Sequence, residues 1–308
     1  MYKVAVVVPV RTDVEALYIY KLCSKYQIDT FVPLYDNNFA TPKNAYNING
    51  IALLCPNAKV ATASKIYLMN VDANKLINSY DKIILVECDG PYFKEKIKDK
   101  SKIIYIDHHR PGDPGYNRPP EEFWIGSSIG QFVQILCTYY KNVPTISCDF
   151  HCDNNIWYPT SSELLYVAAA DHCLIHAYQG RCPSVYPAEL LKFRVKHKAR
   201  HNKTSKENIM KAISYALSLI NKHYDASKGY ADLTGYPNLE ELNEAAAISG
   251  ITVLCKVTAK GHGSKIIIYS PDSEKIRDFM NNKIYPNIID IYGDPIRGFA
   301  GGWIKNDE

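Results

Sequence analysis

The stretch Ile103-Ile104-Tyr105-Ile106-Asp107-His108-His109 places an apolar run directly before three polar residues. Such a run is typical of a strand buried on both faces, and the polar triplet marks its end. Similar apolar runs occur earlier, at Val4–Val10, Ile51–Cys55 and Ile83–Val86. Because strands in a parallel sheet are covered on both faces, near-continuous apolar runs favour parallel pairing.

Amphipathic stretches separate these runs. Val14–Tyr26 carries apolar residues at helical spacing, and Ala73–Ser79 and Phe93–Lys98 are shorter candidates. Further along, Ser127–Tyr140 and Ser161–Tyr178 also have a helical pattern. Strands that alternate with helices predict an α/β fold with a doubly wound parallel sheet.

The chain changes character after residue 186. Residues 187–223 are polar with a helical pattern, and Ile251–Val257 and Ile266–Tyr269 are predicted as a strand pair before a helix near Ser273–Asn281. We therefore expect a first domain over 1–186, a basic helical connecting arm over 187–230, and a smaller mixed α/β domain over 231–308.

Composition narrows the class of protein. The 308 residues suffice for two domains, the hydrophobic fraction is 46%, and no apolar run approaches the roughly 18 residues needed to cross a bilayer. Nine scattered cysteines suggest free thiols, and the apolar start is too short for a signal peptide, so we expect a cytoplasmic protein. A net charge of +4 is too small to diagnose a nucleic-acid partner.

Acidic groups follow the predicted strands. Asp13 and Glu15 come after the first, Asp89 after the third, and Asp107-His108-His109 after the fourth. The carboxyl ends of parallel strands share one edge of a sheet, so these groups should converge. Because converging carboxylates repel one another, the pattern predicts a divalent metal between them, and oxygen and imidazole ligands suit manganese, magnesium, zinc or cobalt.

Four segments, in order, resemble a known family. Tyr105–Arg110 resembles the signature motif of the Asp-His-His (DHH) phosphoesterases, in particular the RecJ-like and oligoribonuclease-like branch. Asp13-Val14-Glu15 resembles the first motif of that family, Val86-Glu87-Cys88-Asp89 the second, and Ala168–Asp171 the fourth. Ser127–Gly130 is similar to the small-residue helix start after the third motif. The resemblance covers most of the first 180 residues.

The resemblance implies roles for individual residues. Asp107 would orient His108, while His109 would contact the substrate phosphate with help from Arg110. Two manganese ions are implied, with magnesium or cobalt as alternatives. The implied metal ligands are Asp13 and Asp89 for one ion and Glu15, Asp89, His108 and Asp171 for the other.

The first motif also departs from the family pattern. Pro9 stands where several branches have a histidine, and Arg11 where RecJ-like members have an aspartate. These differences motivate a competing hypothesis, in which the chain is a catalytically silent relative that keeps the fold as a nucleic-acid-binding or assembly module.

Three regions are candidates for substrate binding. Ser127 and Ser128 would cap a helix whose N–H groups also receive phosphate oxygens. The basic run that contains Arg194 and Lys198 would either track a nucleic-acid backbone or form a solvated helix face. The segment Gly298–Trp303 resembles the glycine-rich motif of the family's carboxyl-terminal domain, which makes Gly301, Gly302 and Trp303 substrate-binding candidates, with Trp303 in the histidine's place.

The leading hypothesis is a metal-dependent phosphoesterase that hydrolyses phosphodiester bonds in single-stranded or short nucleic acids or nucleotides, by in-line water attack with two metal ions. Hydrolysis of pyrophosphate or polyphosphate is an alternative within the enzyme class. We expect no membrane partner, and the oligomeric state is left open, with a homodimer as one option.

Overall fold

The structure is a computed structural model that describes residues 2–9, 14–41, 44–54, 72–140, 144–259 and 263–304. The chain divides into two compact units. The first contains the described residues of Met1–Tyr116 and Trp124–Ala168, and the second those of Asn117–Phe123 and Ala169–Glu308. Both units combine helices with a sheet, so the α/β class predicted from the sequence is confirmed.

The described strands of the first unit form a six-stranded sheet in the order β3-β2-β1-β5-β6, with β4 also paired to β2. Pairing is parallel from β2 through β1 and β5 to β6, while β3 and β4 run antiparallel to β2. The strands are β1 (Val4–Val7), β2 (Asp29–Tyr35), β3 (Asn38–Phe39), β4 (Gly50–Leu53), β5 (Lys82–Val86) and β6 (Ile103–Ile106).

Helices cover both faces of the parallel part of this sheet. One face buries Ala5, Val7 and Leu85 against α2 and α3, whose residues join the same apolar cluster. The alternate residues, among them Val6 and Ile84, are also buried, and α1 and α5 pack together beside β2 and β6. The helices of this part are α1 (Val14–Lys25), α2 (Ala73–Ile77), α3 (Pro91–Lys96), α4 (Phe123–Gly126), α5 (Ser128–Tyr140), α6 (Pro144–Asp149) and α7 (Ser162–His172). A hairpin of β7 (Phe150–Asp153) and β8 (Ile156–Pro159) completes it.

The sequence predicted this sheet in part. The strand at β6 has the expected bounds, and those at β1 and β5 fall inside or beside the expected runs. Ile51–Cys55 corresponds to β4, which is antiparallel and so does not extend the parallel sheet. The parallel strand β2 was not predicted, because Pro33 argues against a central strand and Asp29 breaks the apolar run.

The second unit is built on a mixed six-stranded sheet in the order β13-β14-β12-β11-β10-β9. Only the pair β10 and β11 is parallel among its described strands. Its strands are β9 (Tyr224–Asp225), β10 (Tyr230–Leu233), β11 (Val253–Ala259), β12 (Gly263–Tyr269), β13 (Ile288–Asp294) and β14 (Phe299–Ile304). Its helices are α8 (Leu174–Tyr178), α9 (Pro187–His201), α10 (Lys206–His223), α11 (Leu242–Ser249) and α12 (Ser273–Met280).

The division between the units differs from the predicted boundary after residue 186. It falls between Ala168 and Ala169, within α7, and the whole predicted arm over 187–230 belongs to the second unit. The reason is packing, since Val195 of α9 and Ile213 of α10 share one apolar cluster with Val253 of β11. A polar helical segment with a buried stripe therefore forms part of a core instead of a connecting arm. Among the described residues, no helix has the length and apolar character to cross a membrane.

Candidate metal centre

The ends of β5 and β6 bring the candidate residues to one edge of the first sheet. Val86 and Ile106 are partners in the parallel ladder, and the Glu87 N–H donates to the Ile106 carbonyl at 3.0 Å. Glu87 and Asp107 are the first residues after their strands. Glu87 and Asp107 therefore follow two paired strands at the same edge of the sheet, where the carboxyl ends of parallel strands lie.

Glu87 faces His108, although its backbone conformation is uncommon. Its φ of 48° lies in the left-handed region, which costs a non-glycine residue about 1–2 kcal/mol. The side chain is buried, and its Oε1 lies 3.6 Å from Nε2 of the fully buried His108. Backbone strain of this kind is concentrated at functional sites, where the surrounding structure holds it in place.

Glu15, near the start of α1, supplies a second buried carboxylate. Its Oε1 accepts the Ile129 N–H at 2.9 Å, in the first turn of α5, and its Oε2 lies 4.0 Å from His108 Nε2. The positive end of the α5 dipole favours a negative charge at this place. Glu15 is thus held by one helix while facing the histidine that follows β6.

Glu15, Glu87 and His108 each offer an atom that could bind a metal, and these atoms lie within 4.8 Å of one another. Atoms of Glu87, His108 and His109 meet the same limit. Buried carboxylates are stable only when paired or bound to a cation, and carboxylate oxygen with imidazole nitrogen suits manganese, magnesium, cobalt or zinc. A protonated His108 between the two carboxylates would also satisfy the distances, so metal uptake separates the two arrangements.

Asp107 organises the start of the loop beyond β6. Its Oδ1 accepts the backbone N–H groups of His108 and His109, at 2.7 and 3.1 Å, and lies 2.8 Å from His109 Nδ1. Burial raises the pKa of Asp107, but the bonds and charge from His109 outweigh it and bring the pKa to about 2. As an ionised carboxylate only accepts, His109 Nδ1 carries the proton. Asp107 therefore orients the ring of His109, whereas we expected it to orient His108.

Asp89, which we expected to bridge two metal ions, has other partners among the described residues. Its Oδ1 accepts the Gly90 N–H at 2.7 Å, and its side chain also bonds to Tyr105. Its backbone is fixed by Ala45 and Ile48, and it belongs to neither group of ligand atoms found among the described residues. Glu87, which we did not select, lies in the cluster, with its Oε1 3.6 Å from His108 Nε2.

Asp13 and Asp171 are the two remaining residues that we expected to bind metal. Asp13 lies outside the described residues, as does Arg11, so the structure gives no account of them. Asp171 belongs to the second unit, where its Oδ2 lies 3.5 Å from Arg297 Nη2, which also donates to the Asp171 carbonyl at 2.7 Å. Ligand roles for Asp13 and Asp171 stay predictions.

Ser127 and Ser128 do not present a phosphate-binding surface. Both are fully buried, and Ser127 caps α5 by accepting the Gly130 N–H at 3.1 Å. The neighbouring Ile129 N–H is bonded to Glu15. The helix start therefore holds a carboxylate of the protein where we expected a phosphate oxygen.

Arg194 and Lys198 are engaged inside the second unit. Arg194 Nε and Nη2 donate to Oε2 of the fully buried Glu244 at 2.9 and 2.7 Å. Lys198 bonds to Glu241 and lies 3.6 Å from Glu244. Their predicted role in tracking a nucleic-acid backbone is therefore not supported, since both cations neutralise carboxylates of α11 and the residue before it.

The glycine-rich segment Gly298–Trp303 lies largely in the strand β14. Gly301 and Gly302 lie within β14, paired with β12 and β13, and both are buried. A Cβ on Gly301 would come within 2.6 Å of the Tyr292 hydroxyl, so the missing side chain makes room for a tyrosine. Trp303 has Lys265 Nζ 4.7 Å from its ring centroid. Substrate binding by the two glycines is not supported, and base stacking by Trp303 stays a prediction.

Arg110 and His109 remain accessible beside the buried cluster, with side chains 48% and 39% exposed. The guanidinium of Arg110 lies over the ring of Tyr46, with Cζ 3.4 Å from the ring centroid. Tyr46 had no sequence signal, because it lies in the loop between β3 and β4, far from every motif. Glu87 had one, since it is the first residue after an apolar strand.

Comparison with known proteins does not identify the chain. No protein-family model matches it, and a search of curated proteins gives no match either. The resemblance to the Asp-His-His phosphoesterases therefore rests on the motifs alone.

Proposed function

We propose that this chain is a metal-dependent phosphoesterase of the Asp-His-His type, which hydrolyses phosphodiester bonds in single-stranded or short nucleic acids or in nucleotides. The observation that carries the proposal is the group of Glu15, Glu87 and His108, buried at the ends of two parallel strands with ligand atoms within 4.8 Å. The order of the four sequence motifs adds support that the bare cluster lacks.

Glu15, Glu87 and His108 would hold a divalent cation, with manganese as the first choice and magnesium or cobalt as alternatives. The family resemblance also implies Asp13, Asp89 and Asp171 as ligands of two ions. A cation at this place supplies positive charge next to a phosphate oxygen and favours ionisation of water.

The accessible groups beside the cluster suit a phosphate substrate. His109 directs its Nδ1 proton to Asp107, and its Nε2 would act at the phosphate or the leaving oxygen. Arg110 is always charged and presents a planar fork that matches two phosphate oxygens. Asp107, ionised at neutral pH, stabilises positive charge on His109 during proton transfer.

A hydrolysis panel with added manganese tests the proposal. Its substrates are single-stranded DNA and RNA, dinucleotides, cyclic dinucleotides, pyrophosphate and polyphosphate, each with metal analysis of the protein. We expect turnover of at least one phosphodiester. Turnover of pyrophosphate or polyphosphate alone would replace the proposed substrate class, and inactivity of manganese-loaded protein on every substrate would overturn the proposal.

Matched variants test the site. We expect His108→Ala and Glu87→Gln to lose manganese binding by at least tenfold and to abolish turnover, because the first removes the imidazole ligand and the second the negative charge of a carboxylate ligand. Asp89→Asn is the control, since an asparagine Oδ1 can still accept the Gly90 N–H and Asp89 lies outside the cluster. Loss of manganese in Asp89→Asn but not in Glu87→Gln would return the ligand role to Asp89.

A second candidate is a catalytically silent module that binds nucleic acid or assembles with other chains. It is favoured by Pro9, which offers no ligand atom where several family branches have a histidine, and by the use of the α5 start for Glu15. Salt-dependent binding of a single strand, without manganese uptake or turnover, would support this candidate over the enzyme.

A further inference from the structure

Tyr46 contacts Arg110 directly and is connected to His109 through Asp107. It lies in the segment between β3 and β4, and its hydroxyl donates to Asp107 Oδ2 at 2.8 Å. Burial and the nearby Asp107 charge raise the pKa of Tyr46 above its usual value, so the hydroxyl keeps its proton and acts as a donor. The two oxygens of Asp107 are therefore divided, with Oδ2 on Tyr46 and Oδ1 on His109.

The ring of Tyr46 has a separate contact. Arg110 Cζ lies 3.4 Å from the ring centroid, which is the close stacked arrangement of a guanidinium on an aromatic face. The Arg110 backbone is fixed as well, since its N–H donates to Asp113 Oδ2 at 2.7 Å. Stacking restricts the rotamers of the Arg110 side chain before a ligand arrives, so ligand binding removes less conformational freedom.

We propose that Tyr46 is the positioning residue for the two groups that meet the substrate phosphate, with its hydroxyl fixing His109 through Asp107 and its ring holding Arg110. The inference rests on the proposed function. It assigns two chemically distinct roles to Tyr46, a loop residue that belongs to no sequence motif. The hydroxyl acts on the step of proton transfer, and the ring acts on the binding of the phosphate.

This separation predicts different kinetic effects for two variants at one position. Tyr46→Phe keeps the ring under Arg110 and removes only the bond to Asp107, so we expect kcat to fall about tenfold at an unchanged KM. Tyr46→Leu removes the ring as well, so the same fall in kcat is joined by a rise in KM of about fivefold to tenfold.

Arg110→Gln provides the test of the ring's partner. We expect it to raise KM to the level of Tyr46→Leu while kcat changes little, because the charge acts mainly in binding. The double variant Tyr46→Leu with Arg110→Gln should have the KM of Arg110→Gln alone, because both changes remove one interaction. The manganese content of Tyr46→Phe should equal that of the wild type.

Several results would overturn the inference. An unchanged kcat in Tyr46→Phe, or the loss of its manganese, would contradict the role of the hydroxyl. A KM of Tyr46→Leu equal to that of Tyr46→Phe would contradict the role of the ring, as would additive KM effects in the double variant. If the wild type hydrolyses nothing, the proposed function is wrong, but the role of Tyr46 can still be tested. The measurement is then the binding of inorganic phosphate to the wild type and the variants. Phosphate should then bind more weakly to Tyr46→Leu and Arg110→Gln than to Tyr46→Phe, and a wild type that binds no phosphate overturns it.

Discussion

Three buried glutamates, Glu244, Glu15 and Glu87, have chemically different partners. Glu244 meets the guanidinium of Arg194 and the amine of Lys198. Glu15 and Glu87 instead face the imidazole of His108. An arginine or lysine partner completes a structural ion pair, whereas carboxylates around a histidine form a set of donors that a cation can join.

The Glu244 pair predicts a pH dependence of stability. Burial raises the pKa of Glu244, but Arg194 outweighs it and brings the pKa below the usual 4.5. A folded-state pKa below the unfolded one gives stability that is present above the unfolded pKa and is lost as the pH falls through the folded pKa. We therefore expect the free energy of unfolding to fall more steeply below about pH 4.5 in the wild type than in Glu244→Gln, measured by urea denaturation between pH 7 and 3.

Glu240→Gln is the matched control, because Glu240 is exposed on the same unit. Its pH profile should follow that of the wild type.

Removal of the cation should be more damaging than removal of the charge on Glu244, since Arg194→Met leaves a buried carboxylate without its main partner and should cost about 3–5 kcal/mol. Parallel pH profiles for the wild type and Glu244→Gln would contradict the assignment.

Some of these residue assignments could be read from the sequence and others could not. The strand ending at Ile106 predicts that Asp107 and the two histidines lie at a sheet edge, and the structure places Glu15 and Glu87 beside His108 there. Glu87, which lies beside His108, has a left-handed backbone, whereas the Asp89 backbone forms hydrogen bonds with Ala45 and Ile48. Arg194 pairs with a glutamate 50 residues away. Such long-range partners leave no local pattern.

At the scale of elements, the first turn of α5 connects the two helices that cover one sheet face. Its N–H groups are used by Glu15 and Ser127, and Gly130 packs directly against α4. A Cβ built on Gly130 would lie 1.5 Å from the Trp124 carbonyl oxygen. A side chain cannot be accommodated there unless the backbone of one helix moves.

Gly130→Ala should therefore disturb the site through the helix. We expect a loss of about 1–3 kcal/mol in the free energy of unfolding, together with weaker manganese binding, because a shift of α5 separates the Ile129 N–H from Glu15. Chemical denaturation and a manganese titration measure the two effects. Gly235→Ala is the control, since a Cβ there meets nothing within 4 Å, and unchanged values in Gly130→Ala would contradict the proposed coupling.

Elements with regular patterns were predicted better than those that depend on neighbours. The predicted helix over Ser161–Tyr178 is interrupted at Cys173, which has φ −154° and separates α7 from α8. The glycine-rich segment Gly298–Trp303 is largely the strand β14, because β12 and β13 pair with it on both sides. Local propensity opposes a glycine strand, and only the two partner strands explain it.

At the scale of the whole molecule, the described cluster of Glu15, Glu87 and His108 lies within one unit, while Asp171 lies in the other. A ligand that binds the folded state raises its stability by mass action. Manganese at about 100 times its dissociation constant should therefore add about 2.7 kcal/mol to the unfolding free energy of the first unit.

Hydrogen exchange of the β5 and β6 amides measures this stabilisation in the unit that holds the cluster. We expect slower exchange with manganese, a return to the original rates with a chelator, and no response in His108→Ala. Asp89→Asn should respond as the wild type does. Exchange rates in β5 and β6 that do not depend on manganese would contradict a site at these strand ends.

The two oxygens of Glu15 carry a consequence for the choice of ion. Since Oε1 already accepts the Ile129 N–H, Oε2 is the oxygen directed at His108, and the carboxylate is suited to monodentate binding. Calcium commonly takes both oxygens of a glutamate at long distances and high coordination number, whereas magnesium and manganese accept single oxygens in a compact shell. In the proposed metal centre, the Ile129 amide would disfavour calcium, because it occupies one of the two oxygens of Glu15.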